Sequence, residues 1–337
     1  MALRIAIIDN MSTWEWFVLR YSPQALFQSW TWGEVQKKSG VLVVRYGLYE
    51  KDILKGVAQI VLVKAKRGSF LHVRHGPIIE NASKQLWTFM VDALKQEAKK
   101  QKCLFVRISP LIPDDESTKD LFGAMHTIPA AIHRMDGEYC WVLDLHSSPE
   151  ELLSGMRKTI RYEIKRGQKD GVEVFSSTDP KNLPAFFDLY SQTSTRQGFV
   201  PHNGIKEEFE LFTKTKQAML YLGKFEGQTR AAAIIVYYGN QAIYHHGASV
   251  HSKAPVSTVI QWEAILDAKK RGMSVYNFWG IAPENSVKHP WRGLTLFKKG
   301  FGGYEIQYAH AQDIPVSPLY IIPRAIETCR RLMRGYD

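Results

Sequence analysis

The sequence predicts a mixed α/β (α+β) chain in which one strand-and-helix plan occurs twice. The chain has 337 residues, 45% of them hydrophobic, which is more than twice the usual domain size and provides apolar material for two cores. One order of strand-type and helix-type patterns also returns in the second half of the chain. Glycine and proline are spread throughout, and no long tract is polar or repetitive enough to read as a linker or low-complexity tail.

In the first copy, VLVVRYGLYE from Val41 and then GVAQIVLVKAK read as paired strands across the polar turn YEKDILKG. A third strand follows near SFLHVRH, then a helix, then the strand LFVRIS. The helix, Ser83 to Lys100, places Leu86, Phe89, Met90, Ala93 and Leu94 at helical spacing. In the second copy AMLYLGKFEG, TRAAAIIVYYG and AIYHHGAS are the strands, Ser257 to Arg271 is the helix, and SVYNFWG closes the unit. A β-β-β-α-β unit with this hairpin and crossover is what an acyltransferase domain of the GCN5-related type shows, although the spacing alone establishes only an α/β or α+β unit.

The strand EYCWVLDL opens the second domain and puts the boundary between Gly137 and Asp144. The expected domains are 1–140 with 314–337, and 141–313. Ser148, followed by Glu150 and Glu151, suits a helix N-cap and its first turn. The final segment, SPLYIIPRAIETCRRLMRGYD, reads as a basic amphipathic helix that packs Ile326, Cys329 and Met333 inward and returns to the first domain.

Composition narrows the class. The opening MALRIAIIDN lacks the basic head and long apolar run of a signal peptide, and no stretch approaches the roughly 20 apolar residues of a membrane span. A cytoplasmic protein is expected. Cys103, Cys140 and Cys329 are far apart without paired ligand spacing, which argues against a disulfide scaffold and a zinc site. A formal charge of +11 favours a polyanionic partner: RNA, a phosphorylated substrate or an anionic membrane surface.

Four separated strings carry a resemblance to a known family: SPQALFQSWTWGEV, HGPIIE at 75–80, IRYEIKRGQKDGVEV and HPWRGLTLFKKGFGG. In order and spacing the chain resembles the FemABX family of non-ribosomal peptidyl transferases, of the compact type without a helical arm. The resemblance implies tandem GCN5-related N-acetyltransferase-like domains with a cleft between them. It also implies transfer of an amino acid from aminoacyl-tRNA to an amine of a peptidoglycan precursor stem peptide, carried by UDP-MurNAc-pentapeptide or lipid II. No metal or bound cofactor is implied, aminoacyl-tRNA being a co-substrate. A monomer at or near the inner membrane face is expected.

By the same resemblance, Phe297 and Lys298 of FKKGFGG meet the tRNA acceptor end. Lys298 would steady developing charge, and Phe297 would stack on the terminal adenosine. Gly300, Gly302 and Gly303 would let backbone approach the ligand. Arg196 and Ser194 of TSTRQGF would face the acceptor's diphosphate, a planar guanidinium suiting two-point binding. Tyr244 and Leu294 fall at further precursor-contacting positions. Read without the family, these same residues are a basic helix ending in a glycine turn, a helix-end arginine and a core aromatic.

The chain also departs from the family. Gln36 stands where relatives carry a phosphate-binding lysine, and Lys37 follows it as the substitute. Ser109 and Asn277 stand where aspartates are common, so neither site offers an aspartate base. His245 and His246 invite that role, yet strand neighbours face opposite sides, so at most one is expected to reach a site. The basic stretch from Arg157 to Lys169 suits tRNA phosphates or a solvated helix face. Two other functions stay open: an acyl-CoA-dependent N-acyltransferase, disfavoured because GPIIENAS and ASVHSKAPVS lack the glycine-rich pyrophosphate turn, and a non-catalytic RNA- or membrane-binding protein.

Overall fold

The structure, a computed structural model, describes residues 2–81, 83–284 and 289–336. In chain order the first half contains β1 (Leu3–Ile7), α1 (Met11–Tyr21), α2 (Trp30–Lys38), β2 (Val43–Glu50), β3 (Ile53–Ala65), β4 (Gly68–Arg74), β5 (Ile78–Ile79), α3 (Lys84–Lys100), β6 (Phe105–Ser109), α4 (Glu116–Ala124), β7 (Ile128–Pro129) and β8 (Tyr139–Asp144). There follow α5 (Pro149–Gly155), α6 (Lys158–Lys169), β9 (Glu173–Ser177), α7 (Leu183–Gln197), α8 (Ile205–Lys214), β10 (Ala218–Phe225), β11 (Gln228–Tyr238), β12 (Gln241–Ser249), α9 (Val256–Lys270) and β13 (Val275–Gly280). The chain ends with α10 (Arg292–Lys299), β14 (Tyr304–Gln307), β15 (Gln312–Pro315) and α11 (Ile321–Met333).

These elements form two compact units. The first is Met1–Tyr139 with Ala282–Arg292 and Ile306–Asp337; the second is Cys140–Ile281 with Gly293–Glu305. The first sheet runs β1-β2-β3-β4-β6-β15-β7, with β5 beside β3; the second, read from β9, runs β9-β10-β11-β12-β13-β8-β14. The duplicated plan is visible as β2-β3-β4-α3-β6 against β10-β11-β12-α9-β13. In each, a helix crosses over to make a parallel pair, β4 with β6 and β12 with β13.

Local chemistry explains the ends of the elements. Ser83 caps α3 by accepting from Leu86 N. Ser148 heads a full capping box, its hydroxyl accepting from Glu151 N while the Glu151 carboxylate accepts from Ser148 N. In α3 the inward row is Leu86, Trp87, Met90, Val91 and Leu94, turned roughly 60° from the expected face. The large Trp87 wins the interior, while Phe89 and Ala93 line a surface cavity with Ile5 and Tyr46.

The expected orientation of the terminal helix is overturned. In α11 Pro323 and Glu327 are buried, Ile326 is half-buried, Cys329 is exposed and Met333 is 86% exposed. The cause is electrostatic: Glu327 turns inward to Arg107, whose Nη2 donates at 2.7 Å, and to Arg67 at 2.9 Å. Arg107, itself on β6, also bonds both carboxylate oxygens of Asp313 on β15, at 2.7 and 2.8 Å.

Candidate active site

In the second unit β12 and β13 pair through only three residues, Gln241 to Ile243 against Val275 to Asn277. Beyond them the two strands are no longer bonded. On the other side of β13 the register with β8 shifts between Asn277 and Gly280. Trp279, within that shift, adopts φ 68°, a left-handed conformation that costs a bulky residue on the order of 1–3 kcal/mol and clusters at functional sites. Asn277 holds it there, its Oδ1 accepting from Trp279 N at 2.8 Å and its Nδ2 donating to Gln241 at 2.9 Å.

At this irregular strand end lies Lys298, the last-turn residue of α10. It is 4% exposed, and its Nζ donates to the Gly280 carbonyl at 2.6 Å. Burial pushes the ammonium down to about 7, Cys140 pulling the other way. Burial likewise pushes the Cys140 thiol up to about 12, against Lys298. A lysine in such surroundings changes protonation near neutrality, which is the property of a proton-transferring group. Phe297 is half-buried, its ring edge-on to Phe301 at 5.2 Å. Leu294, on the first turn of α10, is 42% exposed.

The glycines after Lys298 each answer to close packing. A Cβ on Gly303, at φ +97°, would meet the Val142 carbonyl at 2.1 Å; one on Gly302, at φ +80°, would meet the Gly155 carbonyl at 3.1 Å; and one on Gly300 would meet Ile160 Cγ1 at 2.7 Å. They bring the end of α10 onto β8, α5 and α6, so that Trp141 Nε1 donates to the Gly302 carbonyl at 2.6 Å. Arg157 adds a hydrogen bond to the Leu296 carbonyl.

A second feature of the same unit is a cavity of about 390 Å³ at the head of α9, lined by Arg196, Arg230, Ser249, His251, Ser252 and Ser257 among others. Arg196 is exposed and has no hydrogen bond or ion pair among the described residues. Arg230 Nε is buried without a hydrogen-bond partner among the described residues. Thr193 positions this corner: its Oγ1 donates to the Ser249 carbonyl at 3.0 Å and accepts from Ser249 N at 2.9 Å, tying the end of α7 to the end of β12. Two guanidiniums and the start of a 15-residue helix favour an anion here, and the lining also includes the Glu163 carboxylate, which accepts from Thr258 Oγ1 at 2.7 Å. Ser194 does not join them, since its hydroxyl donates to the Ser191 carbonyl within α7 at 2.8 Å. Tyr244 is half-buried against the core with its hydroxyl over Gly247, and burial pushes it up to about 12.

The expectation for the histidine pair fails for a specific reason. Ile234 pairs with His246 and Ile235 with Tyr244, so His245 is the extra residue of a β-bulge. The bulge brings both imidazoles to one carboxylate: His245 Nε2 lies 2.9 Å and His246 Nε2 3.6 Å from Glu208 on α8. Potential ligand atoms of the three lie within 4.8 Å of one another, a set that could hold a divalent transition ion. Burial opposes the Glu208 charge, but His245 and His246 hold the carboxyl well below its ordinary range. Burial and His245 lower His246 to about 4. His245 also lies edge-on to Trp279 at 5.4 Å.

Lys37, in the first unit, sits in the last turn of α2. Its ammonium is 3.0 Å from Glu34, which also receives Arg45 at 3.0 Å. Sequence reasoning singled out Lys298 and Arg196 but missed Arg230, Thr193, Gly280 and Glu208. Arg230 had one available signal, a cation opening the otherwise apolar strand TRAAAII.

The paired sheets and crossover helices define a tandem acyltransferase-type fold of the GCN5-related class. The structure superimposes on a crystal structure of FemX with a TM-score of 0.82 at 18% identity, covering 95% of this chain and 100% of that one. On a tandem GNAT protein from the clavulanic acid biosynthesis pathway the TM-score is 0.60 at 12% identity, covering 94% and 99%. The FemAB family model matches residues 11–122, 119–224 and 204–328. The chain belongs to the FemAB family. It is similar to the lipid II:glycine glycyltransferase of Staphylococcus aureus, 21% identical over 234 residues, which are 65% of this chain and 54% of that protein. The match thus spans about half the length of that relative.

Proposed function

We propose that the protein is an aminoacyltransferase that moves an amino acid from aminoacyl-tRNA to the amine of a peptidoglycan precursor peptide. The observation that carries this reading is Lys298, a buried lysine lowered to about 7 at the end of β13 that has parted from β12. The amine nitrogen attacks the ester carbonyl carbon, a C–N bond forms and the C–O bond to the ribose breaks. One proton leaves the nitrogen and one is gained by the ribose oxygen. A group that protonates near neutrality can accept the first, supply the second and, while cationic, steady the oxyanion between them.

Membership of the FemAB family and the S. aureus relative support the precursor class. Phe297 would meet the tRNA end beside Lys298. Arg196 would hold the acceptor's diphosphate with Arg230 as its partner, and Lys37, Ser194, Tyr244 and Leu294 complete the proposed precursor contacts with smaller roles. Ser194 would act through the α7 backbone that carries Arg196.

The cavity at the head of α9 favours one alternative. Anion-binding chemistry at a helix start also suits the pyrophosphate of an acyl-CoA. Incubation with mixed aminoacyl-tRNA and a lysine-containing muropeptide precursor, read by mass spectrometry, separates the two. A gain of one amino acid residue that RNase abolishes supports the proposal. A gain that requires acetyl-CoA instead overturns it in favour of the alternative, and no gain with either donor overturns both.

A further inference from the structure

Most surface helices turn their apolar stripe inward and their charges outward. Helix α11 does the opposite. With each residue advancing about 100° around the axis, Ile321, Ile322, Ala325, Cys329, Leu332 and Met333 fall on one side. Ile321 is 70%, Ile322 49%, Leu332 65% and Met333 86% exposed. Leu319, in the turn just before the helix, is 57% exposed. The side facing the protein is formed by Pro323 and the buried Glu327, locked by Arg107 and Arg67. This anchor explains why the helix does not roll to hide its apolar side: doing so would break the ion pairs of Glu327 with Arg107 and Arg67.

The occupant of that apolar side is indicated by its flanks. Arg330 and Arg334 are exposed beside it, while Arg324 is bonded back to the Pro129 carbonyl and the Tyr320 hydroxyl and Glu327 is already neutralised beneath. A second copy of the chain laid on this face would set two rows of arginines against each other. An anionic lipid surface instead accepts the apolar side chains below its headgroups and the arginines among them, with the helix lying flat. No helix among the described residues is long and apolar enough to cross a membrane, so the contact is one of lying on the bilayer.

We propose that the outward face of α11 docks the protein onto an anionic membrane surface. This inference stands apart from the proposed reaction, because its test needs neither donor nor acceptor substrate. The test is co-flotation of the full chain with phosphatidylglycerol vesicles and with phosphatidylcholine vesicles. The intact protein is expected to float with the anionic vesicles and to be released by salt.

The triple variant Ile321→Ser/Leu332→Ser/Met333→Ser changes only exposed side chains and is expected to lose at least about tenfold in binding, one factor of ten being 1.4 kcal/mol. Arg330→Gln/Arg334→Gln is expected to weaken binding to anionic vesicles alone. Absence of vesicle binding by the intact protein, or unchanged binding by the triple variant, overturns the proposal. So does concentration-dependent dimerisation in light scattering that the triple variant abolishes, which would assign the face to a second copy.

Discussion

The two units share one strand order, yet their buried polar groups differ in kind. In the first unit, among the described residues, the buried Arg45 and Arg107 and the half-buried Arg74 on the sheet meet carboxylates: Arg45 meets Glu34, Arg74 meets Asp136, and Arg107 meets Asp313 and Glu327. Its parallel pair, β4 with β6, runs unbroken for five residues from Phe70 to Arg74. In the second unit the equivalent pair stops after three, a tryptophan follows at positive φ, and a lysine is buried against a carbonyl. Nearby, two histidines share one glutamate, and two arginines face a cavity. The duplication therefore separates tasks: compensated charge makes a fixed scaffold, whereas uncompensated or shared charge leaves groups able to take up protons and anions.

The sharpest way to break this contrast is at Lys298. Lys298→Met is expected to lower turnover roughly a hundredfold to a thousandfold while precursor affinity stays within a few-fold; equal loss of binding would remove it from the chemistry. The pH dependence adds a second reading. The folded pKa of about 7 lies below the unfolded value, about 10.4. As pH falls through that window the unfolded chain gains a proton that the folded chain does not, so wild-type stability declines relative to Lys298→Met. Urea midpoints of the two proteins across that range should converge at high pH and diverge toward neutrality.

The scaffold side is tested by Arg107→Met, which leaves Asp313 buried without its cation and Glu327 with Arg67 alone. A loss of about 3–5 kcal/mol is expected in urea unfolding, and a loss below 1 kcal/mol would mean the triad is not needed in the first unit. Gly303→Ala probes the packing role of the glycines. Its Cβ would collide with the Val142 carbonyl, and backbone cannot give way as a flexible side chain can. A destabilisation of about 1–3 kcal/mol is expected, and a neutral result would return Gly303 to a ligand-facing role. Smallest is Arg196→Lys, which keeps the charge and loses the planar fork. Calorimetry should show diphosphate-containing precursor bound about tenfold more weakly, and unchanged affinity would separate the cavity from the acceptor.

How far these features were legible depended on the range of the physics behind them. The hairpin-and-crossover repeat, α3 and the Ser148 cap follow from side-chain period and from bonds spanning three residues, so the string carries them. The His245 bulge was hidden because register is set by the partner strand β11, not by β12 alone. The roll of α11 was misread because its apolar stripe suggested an inward face, while Glu327, a single residue in that stripe's shadow, answers to Arg107 more than 200 positions away.

The sequence alone therefore determined a duplicated α/β plan, since alternation and helical period are properties of neighbours, and it offered the FKKGFGG residues only as candidates through a family resemblance. Only the tertiary structure decided what those residues are. Whether a lysine is a solvated cation or a buried group near neutrality, and whether a helix hides its apolar side or presents it, depends on which distant dielectric and charges surround it, and chain connectivity does not encode these locally.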